Sequence, residues 1–221
     1  MKFYPANINV ENQKCVVVGG GKIAYDKIVG LIEAGALVDV IAPEICAEIE
    51  NLSSEINLIR EKYSADKLTG GVIMIAATNN PALNQQIAND ARAKNFLVNI
   101  VDDFAGDFIV PSRIRRGDFL LTISTGGKSP AFSRFVRQML ESEFDANFAA
   151  ALEIISKYRA KIQPLLPNHQ ARIKFWRETL TPELWQLIKS GELGRLEEIL
   201  DAKVKNYGNA DKIQGARPAI R

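Results

Sequence analysis

The 221-residue sequence predicts an α/β protein that ends in a helical domain, and three observations carry that expectation. Short apolar runs of strand length alternate with helical periodicities over roughly the first hundred residues. Gly19-Gly20-Gly21 stands between the first such strand and the first such helix. Beyond Asp145 the pattern is helical only. Alternating strands and helices imply a parallel sheet with right-handed crossovers, covered on both faces.

The elements follow in order. Cys15-Val16-Val17-Val18 is a compact buried-strand signal, and Lys22 to Ala34 carries helical spacing with Gly35 as its C-terminal cap. Val38 to Ile41 reads as a second strand, and Pro43 is expected to start a helix that runs to about Leu52. Ile56 to Ile59 is a third strand and Val72 to Ala76 a fourth, continuously apolar as a doubly covered strand should be. Asn80-Pro81 supplies a cap and a proline at the first helical position, opening a helix to about Lys94. Val98 to Val101 is a fifth strand. After Pro111 the rhythm breaks: Phe119 to Ile123 is a strand, and Thr125 to Pro130 turns into a helix reaching about Glu141. Further helices are expected through Ile162 and from Ala171 to Leu180, with two short ones after Pro182 and Gly194. The chain therefore divides into a Rossmann-type domain (1–111), a small mixed middle segment (112–144), a helical domain (145–207) and a loose tail from Gly208 to Arg221.

Composition narrows the class. With 47% hydrophobic and 24% charged residues the chain can bury a core, which argues against disorder. The sequence has no apolar run of membrane-spanning length and no basic-then-apolar leader, so neither a membrane nor secretion is expected. Cys15 and Cys46 have no metal or redox spacing and read as reduced thiols of a cytoplasmic protein. Charge is uneven: residues 1–111 hold 9 Lys and Arg against 14 Asp and Glu, whereas 112–140 hold 6 against 1. A basic segment behind an acidic domain suggests either a localised anionic partner or a solvated basic face. Nucleic acid would call for a broadly basic domain or a recognisable module, and neither is present.

Gly19-Gly20-Gly21-Lys22-Ile23-Ala24 fits the dinucleotide fingerprint G-x-G-x-x-G/A. Gly19 permits the tight turn, Gly21 lets backbone approach a pyrophosphate, and Ala24 allows close packing of helix on strand. The acidic residue that would hold the adenosine ribose is missing: the second strand ends Ile41-Ala42-Pro43, with Glu44 beyond and Asp39 inside the strand. No basic residue lies between Lys27 and Arg60 to clamp a 2′-phosphate, so NAD is expected rather than NADP. Ala42, Pro43, Thr78 and Asn79 close strands where such sheets bind ligands. Asp102 and Asp103 close the fifth strand, where a carboxylate either takes a proton or caps a turn. In the middle segment Arg113, Arg115 and Arg116 precede Thr125-Gly126-Gly127-Lys128-Ser129-Pro130. A glycine loop entering a helix beside a lysine is a carboxylate or phosphate cradle. The spacing is not that of a Walker A loop, which argues against nucleotide hydrolysis.

Val16 to Ala24, Ala76 to Asn80, Val98 to Asp103, Phe108-Ile109-Val110-Pro111 and Ile123 to Ala131, in this order and spacing, resemble the precorrin-2 dehydrogenases of sirohaem synthesis. The likeness runs from about Tyr4 to Glu141, and Phe175-Trp176 extends it into the helical end. It implies oxidation of precorrin-2 to sirohydrochlorin with NAD⁺ as hydride acceptor. It also implies a homodimer whose middle segment forms much of the interface, with the active site in a cleft between domains. Asp102 falls on the family's essential aspartate and is the implied acid–base residue. Thr125 takes the place of a hydroxyl residue beside the cleft, next to Gly126. The substrate's many carboxylates suit the basic middle segment, with Arg115, Arg116 and Lys128 as candidate contacts. Some members also insert iron into sirohydrochlorin, but His169, the one histidine, is expected to be a surface or capping residue, and no metal ligand is expected. No methyltransferase domain follows, so a fused multifunctional form is not expected. Two rivals stand beside the dehydrogenase: a ferrochelatase on the same fold, and an NAD-sensing module in which Asp102 would be dispensable.

Overall fold

A computed structural model describes residues 2–103 and 105–214, with side chains described as far as Tyr207. It divides into two compact units, Met1–Val110 with Gly126–Lys128, and Pro111–Thr125 with Ser129–Arg221.

The first unit is built on strands β1 (Lys14–Val18), β2 (Leu37–Ile41), β3 (Ile56–Ile59), β4 (Ile73–Ala76) and β5 (Leu97–Ile100). All pairings are parallel, in the order β3-β2-β1-β4-β5. Side chains alternate between the faces of a strand, so β1 feeds two cores. Cys15 and Val17 pack with Val38, Val40 and Ile75 beneath Ala24 and Ile28 of helix α1 (Lys22–Ile32). Val16 and Val18 join Met74, Ala76 and Val98 beneath Ile87, Ala88 and Ala91 of helix α3 (Pro81–Ala93). Asn80 caps α3 through its side-chain oxygen, which accepts from the Leu83 N–H at 3.1 Å. Helix α1 stops at Ile32 rather than Ala34. Gly35 (φ +78°) donates to the Ile32 carbonyl and Ala36 to that of Leu31, the paired bonds of a glycine-terminated helix.

The second helix departs from expectation. Helix α2 spans Ala47–Glu50 only, and Pro43 to Cys46 form an irregular segment. The Cys46 N–H is drawn to the Gly20 carbonyl at 2.8 Å, which holds Cys46 extended and delays the helix to Ala47.

The second unit opens with an antiparallel hairpin of β6 (Ser112–Arg116) and β7 (Phe119–Ile123), turned at Gly117 with φ +57°. Strand β6 was not expected: in Ser112-Arg113-Ile114-Arg115-Arg116 only Ile114 is buried, so its strand character comes from pairing with β7. Helices α4 (Pro130–Glu141), α5 (Asn147–Leu165), α6 (His169–Thr179), α7 (Pro182–Ser190) and α8 (Leu193–Gln214) follow. Phe148, Ile154, Leu184, Ile188, Leu196 and Leu200 make the core of α5, α7 and α8, with Phe119 stacked on Phe144. Helix α8 is long, not short, and continues through Gln214 into the segment expected to be a loose tail. Its Val204 and Tyr207 pack against the Phe175 cluster, and extending an anchored helix is far easier than starting one. Residues 215–221 of that tail lie outside the described residues. Among the described residues no helix is long and apolar enough to cross a membrane.

Candidate functional site

The turn between β1 and α1 is held by its neighbours before any ligand is considered. The Gly19 N–H donates to the Ile41 carbonyl at 3.0 Å, and the Ala77 N–H donates to that of Val18 at 2.8 Å. Three strand ends are thus pinned together. Gly19 takes φ +136°, and a Cβ there would lie 2.3 Å from the Ala77 carbonyl oxygen. At Gly20 a Cβ would lie 1.9 Å from the Glu44 carbonyl oxygen, so this position admits glycine alone. Gly21 is different: nothing lies within 4 Å of where its Cβ would be. It is also the N-cap of α1, and among the described residues no side-chain cap bond is made there. An anion can therefore approach the first N–H groups of the helix directly. The arrangement fits a pyrophosphate, two glycines being required by the protein and the third leaving open space.

The open side of this turn is one wall of a cleft of about 1350 Å³. Of the expected cofactor residues, Gly19, Gly21, Lys22, Ile23, Ala42, Pro43, Thr78 and Asn79 all line it, as does Asp102. Ile23 is 50% exposed, a large apolar side chain uncovered at the mouth of the site. Ala24 does not line the cleft; it is fully buried against the sheet, the packing role its size suggested. Thr78 is fixed by Asn84, whose side-chain oxygen accepts from the Thr78 hydroxyl (2.6 Å) and N–H (3.1 Å). The Asn84 amide donates back to the Thr78 carbonyl at 3.0 Å. Asn84 is 5% exposed, so this closed set of bonds makes the loop after β4 rigid.

Asp39, inside β2, does not line the cleft and is structural, paired with Lys14 at 3.0 Å and accepting from Asn57 at 3.1 Å. The tip of β2 carries no carboxylate, Ala42 being buried. Glu44, Lys62 and Tyr63 line the cleft there instead. The Tyr63 hydroxyl donates to Asp90 at 2.9 Å; burial and that carboxylate push the phenol well above its usual range, so it stays protonated.

Asp102 follows β5 with φ +59°, a left-handed conformation that an aspartate adopts at a cost. It is exposed to the cleft. The chain beyond it is tied back along β5. Asp107 accepts from the Val98 N–H at 2.9 Å and from Arg92 of α3 at 3.0 Å. Arg92 also donates to the Ala105 carbonyl at 2.5 Å, and Asn99 donates to that of Phe108 at 3.0 Å. Asp103 accepts from the Ala105 N–H at 2.9 Å, so of the two acids it is Asp103 that secures the turn. Both acids are exposed and line the cleft past the carboxyl edge of the sheet, and Asp102 makes no side-chain hydrogen bond among the described residues, so it can accept a proton.

The expected substrate residues lie elsewhere in the chain. Arg115 and Arg116 stand on β6, and Arg116 donates to the carbonyl and carboxylate of Glu141 at 3.3 and 3.4 Å, satisfying the end of α4. Thr125 donates its hydroxyl to the Ser129 carbonyl and accepts from the Ser129 N–H, both at 3.1 Å. Ser129 caps α4 through the Phe132 N–H at 3.1 Å. Gly126 has φ +61°, and Lys128 is exposed. Reading the sequence missed Gly20, Asn84, Arg92 and Asp107 as supports. The triple-glycine run and a polar residue four positions past a helix cap were the available signals for the first two.

Residues 6–112 match the family model described as "Putative NAD(P)-binding". The chain is 30% identical over 208 residues to a sirohaem synthase of Photorhabdus laumondii, covering 93% of this chain and 44% of that protein. It is 32% identical over 210 residues to a sirohaem synthase of Actinobacillus pleuropneumoniae, covering 93% and 43%. The chain thus spans less than half the length of these relatives. Among solved structures it resembles SirC, a precorrin-2 dehydrogenase, with a TM-score of 0.71 and 25% identity, over 89% of this chain and 100% of that one.

Proposed function

We propose that this chain, whose residues 6–112 match a family described as putative NAD(P)-binding and which is similar to sirohaem synthases and to a precorrin-2 dehydrogenase, is an NAD-dependent oxidoreductase that converts precorrin-2 to sirohydrochlorin. The observation that carries this reading is Asp102, exposed and backbone-strained in the same cleft as the glycine turn. Gly19, Gly21, Lys22 and Ile23 hold the pyrophosphate, with Ala24 backing the turn. Ala42 and Pro43 border the adenosine half, and Thr78, fixed by Asn84, and Asn79 border the cofactor at β4. NAD⁺, when bound, supplies the hydride acceptor. Removal of two hydrogens from the tetrapyrrole leaves a proton, which Asp102 accepts and, being exposed, passes to solvent. Arg115, Arg116 and Lys128 bind substrate carboxylates by charge-assisted hydrogen bonds, with Thr125 and Gly126 beside them.

The active species is a homodimer in the cytoplasm, where Cys15 and Cys46 remain thiols. Phe132, Phe135 and Met139 of α4 are 57%, 53% and 58% exposed, an apolar stripe that calls for a partner, and a second copy is the partner we assign. The test is an anaerobic incubation of the purified chain with precorrin-2 and NAD⁺, following NADH and the tetrapyrrole spectrum together. NADH and sirohydrochlorin should appear in equal amounts. Binding of NAD⁺ without either product would overturn the reading.

A further inference from the structure

The adenosine end of the cleft carries two unquenched charges of opposite sign. Strand β3 lies beside β2 with Ile41 opposite Ile59, and the Ala42 N–H donates to the Ile59 carbonyl at 3.1 Å. The segment just past β3 therefore borders the place where a Rossmann-type sheet holds the adenosine ribose. Most charged groups of that segment already have partners. Arg60 makes a two-pronged bond to Glu50 at 2.9 and 2.6 Å, and Lys67 is paired with Glu61. Tyr63 is committed to Asp90. Lys62 is the exception there, and so is Glu44, which follows β2 on the same cleft. Both are exposed, both line the cleft, and neither has a hydrogen bond or ion pair among the described residues.

The two groups oppose each other in what they would recognise. A carboxylate accepts from the 2′-hydroxyl of NAD and repels the 2′-phosphate of NADP; an ammonium group attracts that phosphate. We propose that Lys62 and Glu44 set the choice between these dinucleotides, so that the chain binds both. Glu44 holds the preference for NAD and Lys62 admits NADP. The inference rests on the cofactor reading above. Although no basic residue lies between Lys27 and Arg60, β3 delivers Lys62 from just beyond that gap to the cleft.

The test is calorimetric titration of the full-length chain with NAD⁺ and with NADP⁺, in the wild type, Lys62→Ala and Glu44→Gln. In the wild type NADP⁺ should bind within about tenfold of NAD⁺. Lys62→Ala should weaken NADP⁺ by about tenfold and leave NAD⁺ within about twofold, the loss expected for one charge-assisted contact. Glu44→Gln should shift the ratio the other way by about fivefold or more. Wild-type binding of NADP⁺ more than about a hundredfold weaker than NAD⁺, or a ratio unmoved in either variant, would overturn the proposal. Failure of the wild type to bind either nucleotide is a different result, and defeats the cofactor reading itself.

Discussion

Asp102 pays for its position in backbone strain, since φ +59° suits glycine, asparagine and, less well, aspartate. That strain narrows the choice of test substitution. Asparagine keeps the shape and tolerates the same backbone, but cannot accept a proton at neutral pH. Asp102→Asn should retain the melting temperature and NAD⁺ affinity of the wild type while kcat falls roughly 10²–10⁴-fold. Unchanged turnover would remove Asp102 from proton transfer. Its neighbour illustrates why adjacency in sequence does not predict role: Asp103 spends its carboxylate on the Ala105 N–H.

The turn between β1 and α1 separates two demands that the triple glycine makes look alike. Gly20 is required by the protein, because the Glu44 carbonyl occupies the place of a Cβ; at Gly21 that place is open, so only the proposed pyrophosphate contact calls for glycine there. Gly20→Ala must displace the backbone of the Pro43–Cys46 segment, at a cost of roughly 3 kcal/mol or more. For a chain of this size the melting temperature should fall by roughly 6–12 °C. Gly21→Ala should melt with the wild type, its backbone being extended and unhindered, yet bind NAD⁺ at least about tenfold more weakly. Calorimetric melting beside nucleotide titration distinguishes the two, and equal loss of stability in both variants would contradict the assignment.

For the molecule as a whole, the apolar stripe on α4 is the feature that a single chain leaves unexplained. Each large side chain in it contributes roughly 1.5–3 kcal/mol when buried. A charge placed among them in a closed interface has no partner and is strongly unfavourable. Phe135→Asp should therefore convert the proposed dimer to a folded monomer by light scattering, at concentrations where the wild type forms one. A monomeric wild type at those concentrations would dismiss the dimer.

The sequence by itself determined the parallel sheet, the glycine turn and the cap at Asn80, because each depends on local periodicity or on residues adjacent in the chain. It also put Asp102 and Asp103 just past β5, and only the family resemblance chose Asp102 between them. It could not determine β6, whose strand character comes from β7, nor the late start of α2, which a bond from Cys46 to Gly20 imposes. Nor could it show that α8 continues past Gly208, anchored by packing on α6. The adenosine end was decided by tertiary structure alone. Ala42 and Lys62 are separated along the chain, and only the parallel pairing of β2 with β3 brings their strand ends to the same cleft. Local spacing shows what a segment can form, whereas long-range hydrogen bonding selects which residues share a surface.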